Sequence, residues 1–279
     1  MEVIKIDGKK EPFSPAKLCL SLRKAGAPRA VADEICKKVS GKVKPDESTT
    51  KIFRKALTYL VRDDMDIAAR YSLRRGLESL GPSGFIFEQY IETVLQAYGF
   101  ATNRNQMIKG KCLTHETDVI ASIGSKRFII EAKYRNEPSI KTHVDVVMYA
   151  DARLLDIVRG MPKKAQEEYE NTMWIITNTK FTESSITYAK CRGIRLTGWN
   201  YPRGASLEDV ISQKRLYPVT VLPSLPADAL PLFAKKGIIL AQDLLTYTEK
   251  DLVKDFQLTQ EEAHAVIAEA HGIVGPFVK

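Results

Sequence analysis

Hydrophobic positions along this chain switch between a period of two and a helical period, and the switches mark its elements. Val3-Ile4 and a second short run ending at Phe13 flank Asp7-Gly8, which predicts a small hairpin. Ser14-Pro15 then predicts a helix through Lys24, with serine as cap and proline in the first turn. Helical spacing follows at 29–40, 49–62 and 66–79, until Gly81-Pro82-Ser83-Gly84 breaks the pattern.

A second segment opens with Phe87, Ile91, Val94, Leu95 and Tyr98 on one stripe, predicting a helix over 84–98. Two runs rich in β-branched and aromatic residues come next, 117–123 and 126–133, separated only by Gly124-Ser125. They predict a hairpin. Val144, Val147, Met148, Leu154, Leu155 and Val158 predict a helix closed by Gly160-Met161-Pro162. A strand at 173–177, a helix at 182–192 and a strand at 193–197 complete a mixed sheet with helices on both faces. Asn200 to Gly204 starts a looser connection, and Ser206-Leu207-Glu208-Asp209 looks like a capped helix start. Beyond Leu225 the chain is short helices, with further caps at Thr248–Asp251 and Thr259–Glu262 and a tight connection at Lys235-Lys236-Gly237-Ile238. The expected architecture is multidomain α+β and α/β: a β-hairpin with a helical bundle over 1–80, a mixed-sheet domain over 84–200, a connecting helix over 201–217, and a small all-α domain over 218–279.

Length and composition suit two or three small globular domains: 279 residues, 44% hydrophobic and 27% charged. No apolar run is long enough to span a membrane, and the N-terminus lacks a secretory pattern, so a cytoplasmic protein is expected. Cys19, Cys36, Cys112 and Cys191 have no metal-ligand spacing, which excludes a zinc site and predicts reduced, packed thiols. The net charge of +8 is uneven, since residues 1–80 carry 18 lysines and arginines against 11 acids. That excess attracts phosphates of a nucleotide or a nucleic acid, or is a solvated basic surface.

The hairpin carries the candidate chemistry. With Gly124-Ser125 as its loop, Asp118 falls opposite Glu131, and Lys133 shares their face two residues on. Opposed carboxylates repel unless positive charge sits between them. A lysine and a divalent metal would supply it, and hard oxygen ligands suit magnesium or manganese. The near-continuous apolar runs at Val119-Ile120 and Phe128-Ile129-Ile130 predict strands covered on both faces, where such charges need a partner or a purpose.

Residues 84–200 resemble the Mrr branch of the PD-(D/E)xK restriction-endonuclease-like nucleases. The likeness rests on Phe87-Glu88, Gly99-Phe100, Thr117-Asp118-Val119-Ile120, Glu131-Ala132-Lys133-Tyr134, Trp174-Ile175-Ile176-Thr177-Asn178 and Gly193-Ile194-Arg195-Leu196. It implies that Glu88, Asp118 and Glu131 hold one or two magnesium ions and that Lys133 orients or activates the attacking water. Residues 1–80 resemble the ATP-cone, the nucleotide-sensing module of ribonucleotide reductases. Here the matching stretches are Val3–Gly8, Glu11-Pro12-Phe13-Ser14, Lys17, Thr49–Ile52 and Ala68–Arg75. That family's usual Lys-Arg-Asp-Gly is Lys5-Ile6-Asp7-Gly8 in this chain, so one arginine contact is missing unless Lys9 or Lys10 replaces it. The resemblance implies ATP or dATP as a regulatory ligand, with Lys5, Lys17 and Arg75 toward its phosphates and Glu11 and Thr49 nearer the nucleoside. No Gly-rich phosphate loop followed by lysine and serine or threonine is present, which predicts binding without hydrolysis. Residues 218–279 resemble a helix-hairpin-helix or SAM-like domain.

Together these imply a nucleotide-regulated, magnesium-dependent DNA endonuclease acting as a homo-oligomer. The alternative is a non-cleaving nucleic-acid-binding regulator with an ATP-sensing cone.

Overall fold

The computed structural model describes residues 1–5, 8–81, 84–137 and 139–274. Ile6 and Asp7 of the expected turn, and Pro82-Ser83 at the expected boundary, lie outside them. The N-terminal unit is built from β1 (Glu2–Ile4), β2 (Lys10–Pro12), α1 (Pro15–Lys24), α2 (Arg29–Ser40), β3 (Glu47–Ser48), α3 (Thr49–Asp63) and α4 (Met65–Glu78). Its three strands form a small sheet in the order β2-β1-β3. Side chains set the helix starts: Ser14 caps α1, Ser48 caps α3, and Asp64 accepts from the amides of Asp66 and Ile67 at the start of α4. Leu22, Ala32, Val39, Ala56 and Leu60 are fully buried in the core of this unit.

The expectation of four reduced, packed thiols is corrected here. Cys19 and Cys36 form a disulfide between α1 and α2, and Cys112 and Cys191 are exposed. Seventeen residues of separation hid the pair in the sequence, but packing α1 on α2 brings their Cα atoms to 5.5 Å.

The second unit opens with α5 (Phe85–Ala97) and continues through β4 (Ala101–Lys109), β5 (Thr114–Ile123), β6 (Lys126–Lys133), α6 (Val144–Gly160), α7 (Lys163–Glu168), β7 (Glu170–Thr177), α8 (Glu183–Arg192) and β8 (Arg195–Thr197). The five strands lie in the order β4-β5-β6-β7-β8, antiparallel up to β6 and parallel beyond it. Strand β4 is absent from the sequence-based reading. It is a polar edge strand with little apolar alternation, held by its backbone bonds to β5. The β5–β6 loop is Gly124-Ser125 as expected, with Gly124 supplying a positive φ of 56°.

The sheet is covered on both faces. Val119, Phe128, Ile130, Ala132 and Trp174 pack toward α5, while Ile129, Met173 and Ile175 pack toward α6 and α8. The stripe expected on α6 is corrected in part: Met148 and Leu155 are exposed, because Val147, Ala150, Asp151 and Ile157 take the sheet-facing side.

The last segment is all helical: α9 (Leu207–Gln213), α10 (Leu230–Lys235), α11 (Glu249–Phe256), α12 (Gln260–Val274) and short 3-10 turns. It does not stand apart. Its apolar residues share one core with Leu73 and Leu77 of α4 and with Phe87, Tyr90 and Ile91 of α5. The Tyr90 hydroxyl donates to the Leu216 carbonyl at 2.8 Å, and that of Tyr98 donates to Val210 at the same distance. Helix α4 therefore serves two cores, giving Ile67 and Ala68 to the N-terminal unit and Ala69, Leu73 and Leu77 to the central one.

Candidate active site

Strand β6 ends in Glu131-Ala132-Lys133, and three neighbours hold that end in place. Thr177 of β7 donates its hydroxyl to the Lys133 carbonyl at 2.7 Å. Asn178 closes a pair of bonds with the Arg135 backbone, accepting at 2.9 Å and donating at 2.8 Å. The Tyr134 hydroxyl donates to the Glu78 carbonyl at the end of α4. The strand that carries the acidic residue and the lysine is thus bonded directly to the last helix of the N-terminal unit.

The β5–β6 register pairs Val119 with Ile130 and Ile120 with Ile129, the frame that sets Asp118 against Glu131. The backbone ladder stops one step short of the two carboxylates. Asp118 Oδ2 instead accepts from the Ala132 amide at 2.7 Å, so a side chain takes the place of a carbonyl where the strands part. Across β5 on the other side, Asn105 of β4 adopts a left-handed φ of 54°, a conformation asparagine tolerates better than most residues.

Glu131 is 4% exposed, and both of its carboxylate oxygens are engaged by cations. Lys133 Nζ pairs with one and Arg153 of α6 with the other, while Arg153 also donates to the Glu116 carbonyl at 3.2 Å. Asp118 forms no ion pair among the described residues, although Lys133 acts on it at longer range. Burial, then the neighbouring Glu131 charge, pushes its carboxyl up to about 7, with the Ala132 amide pulling the other way and Glu88 adding to the rise. Glu88, near the start of α5, is also raised, by burial first. Arg104 opposes that shift, while Glu116 and Glu131 add to it. Arg104 in turn pairs with Glu92 at 3.1 Å and keeps one buried nitrogen without a partner among the described residues.

The structure therefore brings Asp118, Glu131 and Lys133 together at the strand ends, with Glu88 within their electrostatic reach. Among the described residues, no three acidic, histidine or cysteine side chains converge closely enough to grip an ion as they stand. The donor chemistry nevertheless suits a hard divalent cation. Burial first, and then the Glu131 charge, push the Asp118 carboxyl up to about 7, and a cation would offset both. Glu131 would have to exchange Lys133 or Arg153 for it.

Sequence reasoning missed Arg153. It lies on a helix twenty-two residues after Glu131, on no recognisable motif, and only helix packing brings it back to the strand. Arg153→Met is expected to cost about 2–4 kcal/mol of stability, because Glu131 would keep a buried oxygen without its counter-charge. Chemical denaturation of the metal-free protein checks it, and an unchanged midpoint would refute the pairing.

In the N-terminal unit, Lys17 of α1 pairs with Glu11 of β2 at 3.3 Å. The Arg75 guanidinium lies 3.9 Å from the Phe53 ring centroid, and Phe53 is one turn beyond Thr49 on α3. Phe53 stacks on Tyr71 at 4.7 Å, and the Tyr71 hydroxyl meets Ser21, one turn beyond Lys17. Glu11 and Lys17 thus meet each other, while Arg75 is held against Phe53 and Tyr71. Lys5 is exposed at the end of β1, where its backbone bonds to Lys9 and Gly8.

Residues 1–80 match the ATP cone domain family, with the boundaries expected from the sequence. Residues 217–274 match the C-terminal domain of AF1548-like proteins. An uncharacterized protein of Archaeoglobus fulgidus is 36% identical over 183 residues, spanning 65% of this chain and 98% of its own length. This chain belongs to the AF1548-like family. The crystal structure of AF1548, described as a protein of unknown function, is similar at a TM-score of 0.57 and 33% identity, covering 69% of this AF1548-like chain and 99% of its own. The helical segment expected to resemble a helix-hairpin-helix or SAM-like domain is thus matched to the C-terminal domain of this family. Among the described residues, no helix of the AF1548-like chain is long and apolar enough to cross a membrane.

Proposed function

We propose that this AF1548-like protein is a nucleotide-regulated, magnesium-dependent DNA endonuclease with a PD-(D/E)xK site. The observation that carries this reading is the constellation at the end of β5 and β6. A buried glutamate paired to a lysine faces an aspartate whose carboxyl is pushed up to about 7. Asp118, Glu131 and Glu88 would hold the ion. Bound there, magnesium or manganese supplies Lewis-acid polarisation of a phosphate and a more acidic water. Lys133 offsets the negative charge that develops at the scissile phosphate and orients the attacking water. Arg153 keeps Glu131 aimed in the metal-free protein and takes up a phosphate contact when released. With the Asp118 carboxyl pushed up to about 7, an ion held there would compete with a proton and bind more tightly as the pH rises through 7.

The test is nicking of supercoiled plasmid by the full chain in magnesium, with a chelator as control. Cleavage lost in Lys133→Ala supports the reading. DNA binding without cleavage in either metal would favour the alternative, a non-cleaving nucleic-acid-binding regulator.

The ATP cone domain belongs to a family that binds nucleoside triphosphates as regulatory ligands. In this reading ATP or dATP meets Lys5, Glu11, Lys17, Thr49 and Arg75, and the signal travels along α4 to the Tyr134–Glu78 bond. Lys17→Ala is expected to weaken ATP binding by about 1–3 kcal/mol, the range for charge-assisted hydrogen bonds. Titration calorimetry measures it, and steady ATP turnover would contradict a purely regulatory cone. A homo-oligomer places two sites on one duplex, so sedimentation with and without ATP tests the route of regulation.

A further inference from the structure

A cleft of about 710 Å³ lies between the ATP cone and the C-terminal domain. Helices α3 and α4 form one wall, and Thr220 to Pro226 with Glu269 of α12 form the other. The walls meet where α4 has no side chain. A Cβ on Gly76 would stand 2.7 Å from Val221, and Thr220 donates to the Gly76 carbonyl at 2.7 Å.

The polar groups of the cone wall are short of partners. Ser72 is 4% exposed, lines the cleft, and its hydroxyl has no hydrogen-bond partner among the described residues. A buried hydroxyl left in that state is destabilising unless a ligand serves it. Arg54, Arg62 and Arg75 also line the cleft, and none of them forms an ion pair among the described residues. Arg75 is half-buried, and burial first, opposed by Tyr71 and Glu78, then reinforced by the nearby Arg54 charge, makes its cation less favourable.

The opposite wall brings a single acidic group among the described residues, and it forms no ion pair with the three arginines. Glu269 is the one carboxylate lining the cleft, and it already accepts from the Ser224 hydroxyl at 2.8 Å and the Ser224 amide at 3.2 Å. The remaining lining is mostly apolar, including Leu57, Val61, Leu222 and Leu225. The volume falls within the roughly 300–1,000 Å³ typical of small-molecule sites. Three unpaired guanidinium groups at an apolar cleft call for an anionic head on an apolar body.

We propose that this cleft binds an organic anion, a phosphate- or carboxylate-headed small molecule with an apolar body, which clamps the C-terminal domain onto the cone. The site includes residues 220–226 and 269, outside the cone, and the inference does not rest on the nuclease reading. Because α4 also meets the candidate active site through Glu78, an occupant of the cleft acts on the helix that joins the two.

Titration of the full chain with 1-naphthyl phosphate tests this, with 1-naphthol and inorganic phosphate as controls for body and head alone. One naphthyl phosphate per chain is expected, with either control at least about tenfold weaker. The R54Q/R62Q double variant changes two exposed side chains and should weaken the probe by about tenfold or more. Ser72→Ala should lower affinity yet raise the melting temperature, since it removes a buried unpaired hydroxyl. ATP that still displaces the probe in Lys17→Ala identifies the anion as a nucleotide. Failure of ATP to displace a bound probe identifies another phosphate- or carboxylate-bearing molecule. No probe binding to the wild type, or equal binding to the double variant, overturns the inference.

Discussion

Asp118→Asn and Glu131→Gln are both expected to lower magnesium-dependent cleavage by about 10²–10³-fold or more, yet to move stability in opposite directions. Glu131 is buried between Lys133 and Arg153, so neutralising it leaves two cations facing an amide. The metal-free variant should lose about 3–5 kcal/mol. Asp118 is the reverse case. Its carboxyl lies in a negative, partly buried place with its pKa raised to about 7. A raised carboxyl pKa favours the folded state while the group is protonated, and that advantage disappears as pH climbs from about 4 through 7. Asparagine keeps the oxygen that accepts from the Ala132 amide and carries no charge. Asp118→Asn should therefore match the wild type near pH 4 and exceed it by roughly 2–4 kcal/mol above pH 7. Urea denaturation across this range checks both signs. A gap between wild type and Asp118→Asn that does not widen with pH would refute the raised Asp118 carboxyl pKa. Wild-type cleavage rates in either variant would refute the site.

Gly160→Ala is expected to cost about 2–4 kcal/mol, although it adds a single methyl group. Gly160 ends α6, and a Cβ there would stand 2.4 Å from the Gly110 carbonyl carbon and 2.6 Å from the Lys111 nitrogen. Both contacts are backbone, so a rotamer change cannot relieve them. The β4–β5 turn they would displace is pinned to α6 by Asp156. Its carboxylate accepts from the Cys112 amide at 2.9 Å and the Leu113 amide at 3.1 Å, and bonds to His115 at 2.7 Å. Moving the turn strains these bonds together, and α6 is the helix that also delivers Arg153 to Glu131. Chemical denaturation and thermal melting measure the loss. A melting temperature within about 1 °C of wild type would show that the junction yields more easily than this packing implies.

Local signals were strong where one side chain and its near neighbours decide the outcome. Ser14, Ser206, Thr248 and Thr259 bond to amides three residues on, which is why those helix starts could be read directly. Gly124-Ser125 determined the hairpin frame in the same way, and with it the meeting of Asp118, Glu131 and Lys133 on one face. Strand β4 escaped notice because an edge strand needs no apolar alternation when its partner supplies the backbone bonds.

By itself the sequence determined most helix starts, the β5–β6 hairpin, the cone boundary at residue 80 and the three residues proposed for the site. Each of these depends on spacing of a few residues, within the reach of a turn or a strand. The tertiary structure alone decided that Cys19 meets Cys36, that Arg153 occupies Glu131, and that one α4 face seats the C-terminal domain. It also decided the charge state of Asp118, because burial and neighbouring carboxylates are properties of the packed assembly. Those contacts join elements far apart in the chain, where no local pattern records which surfaces will meet.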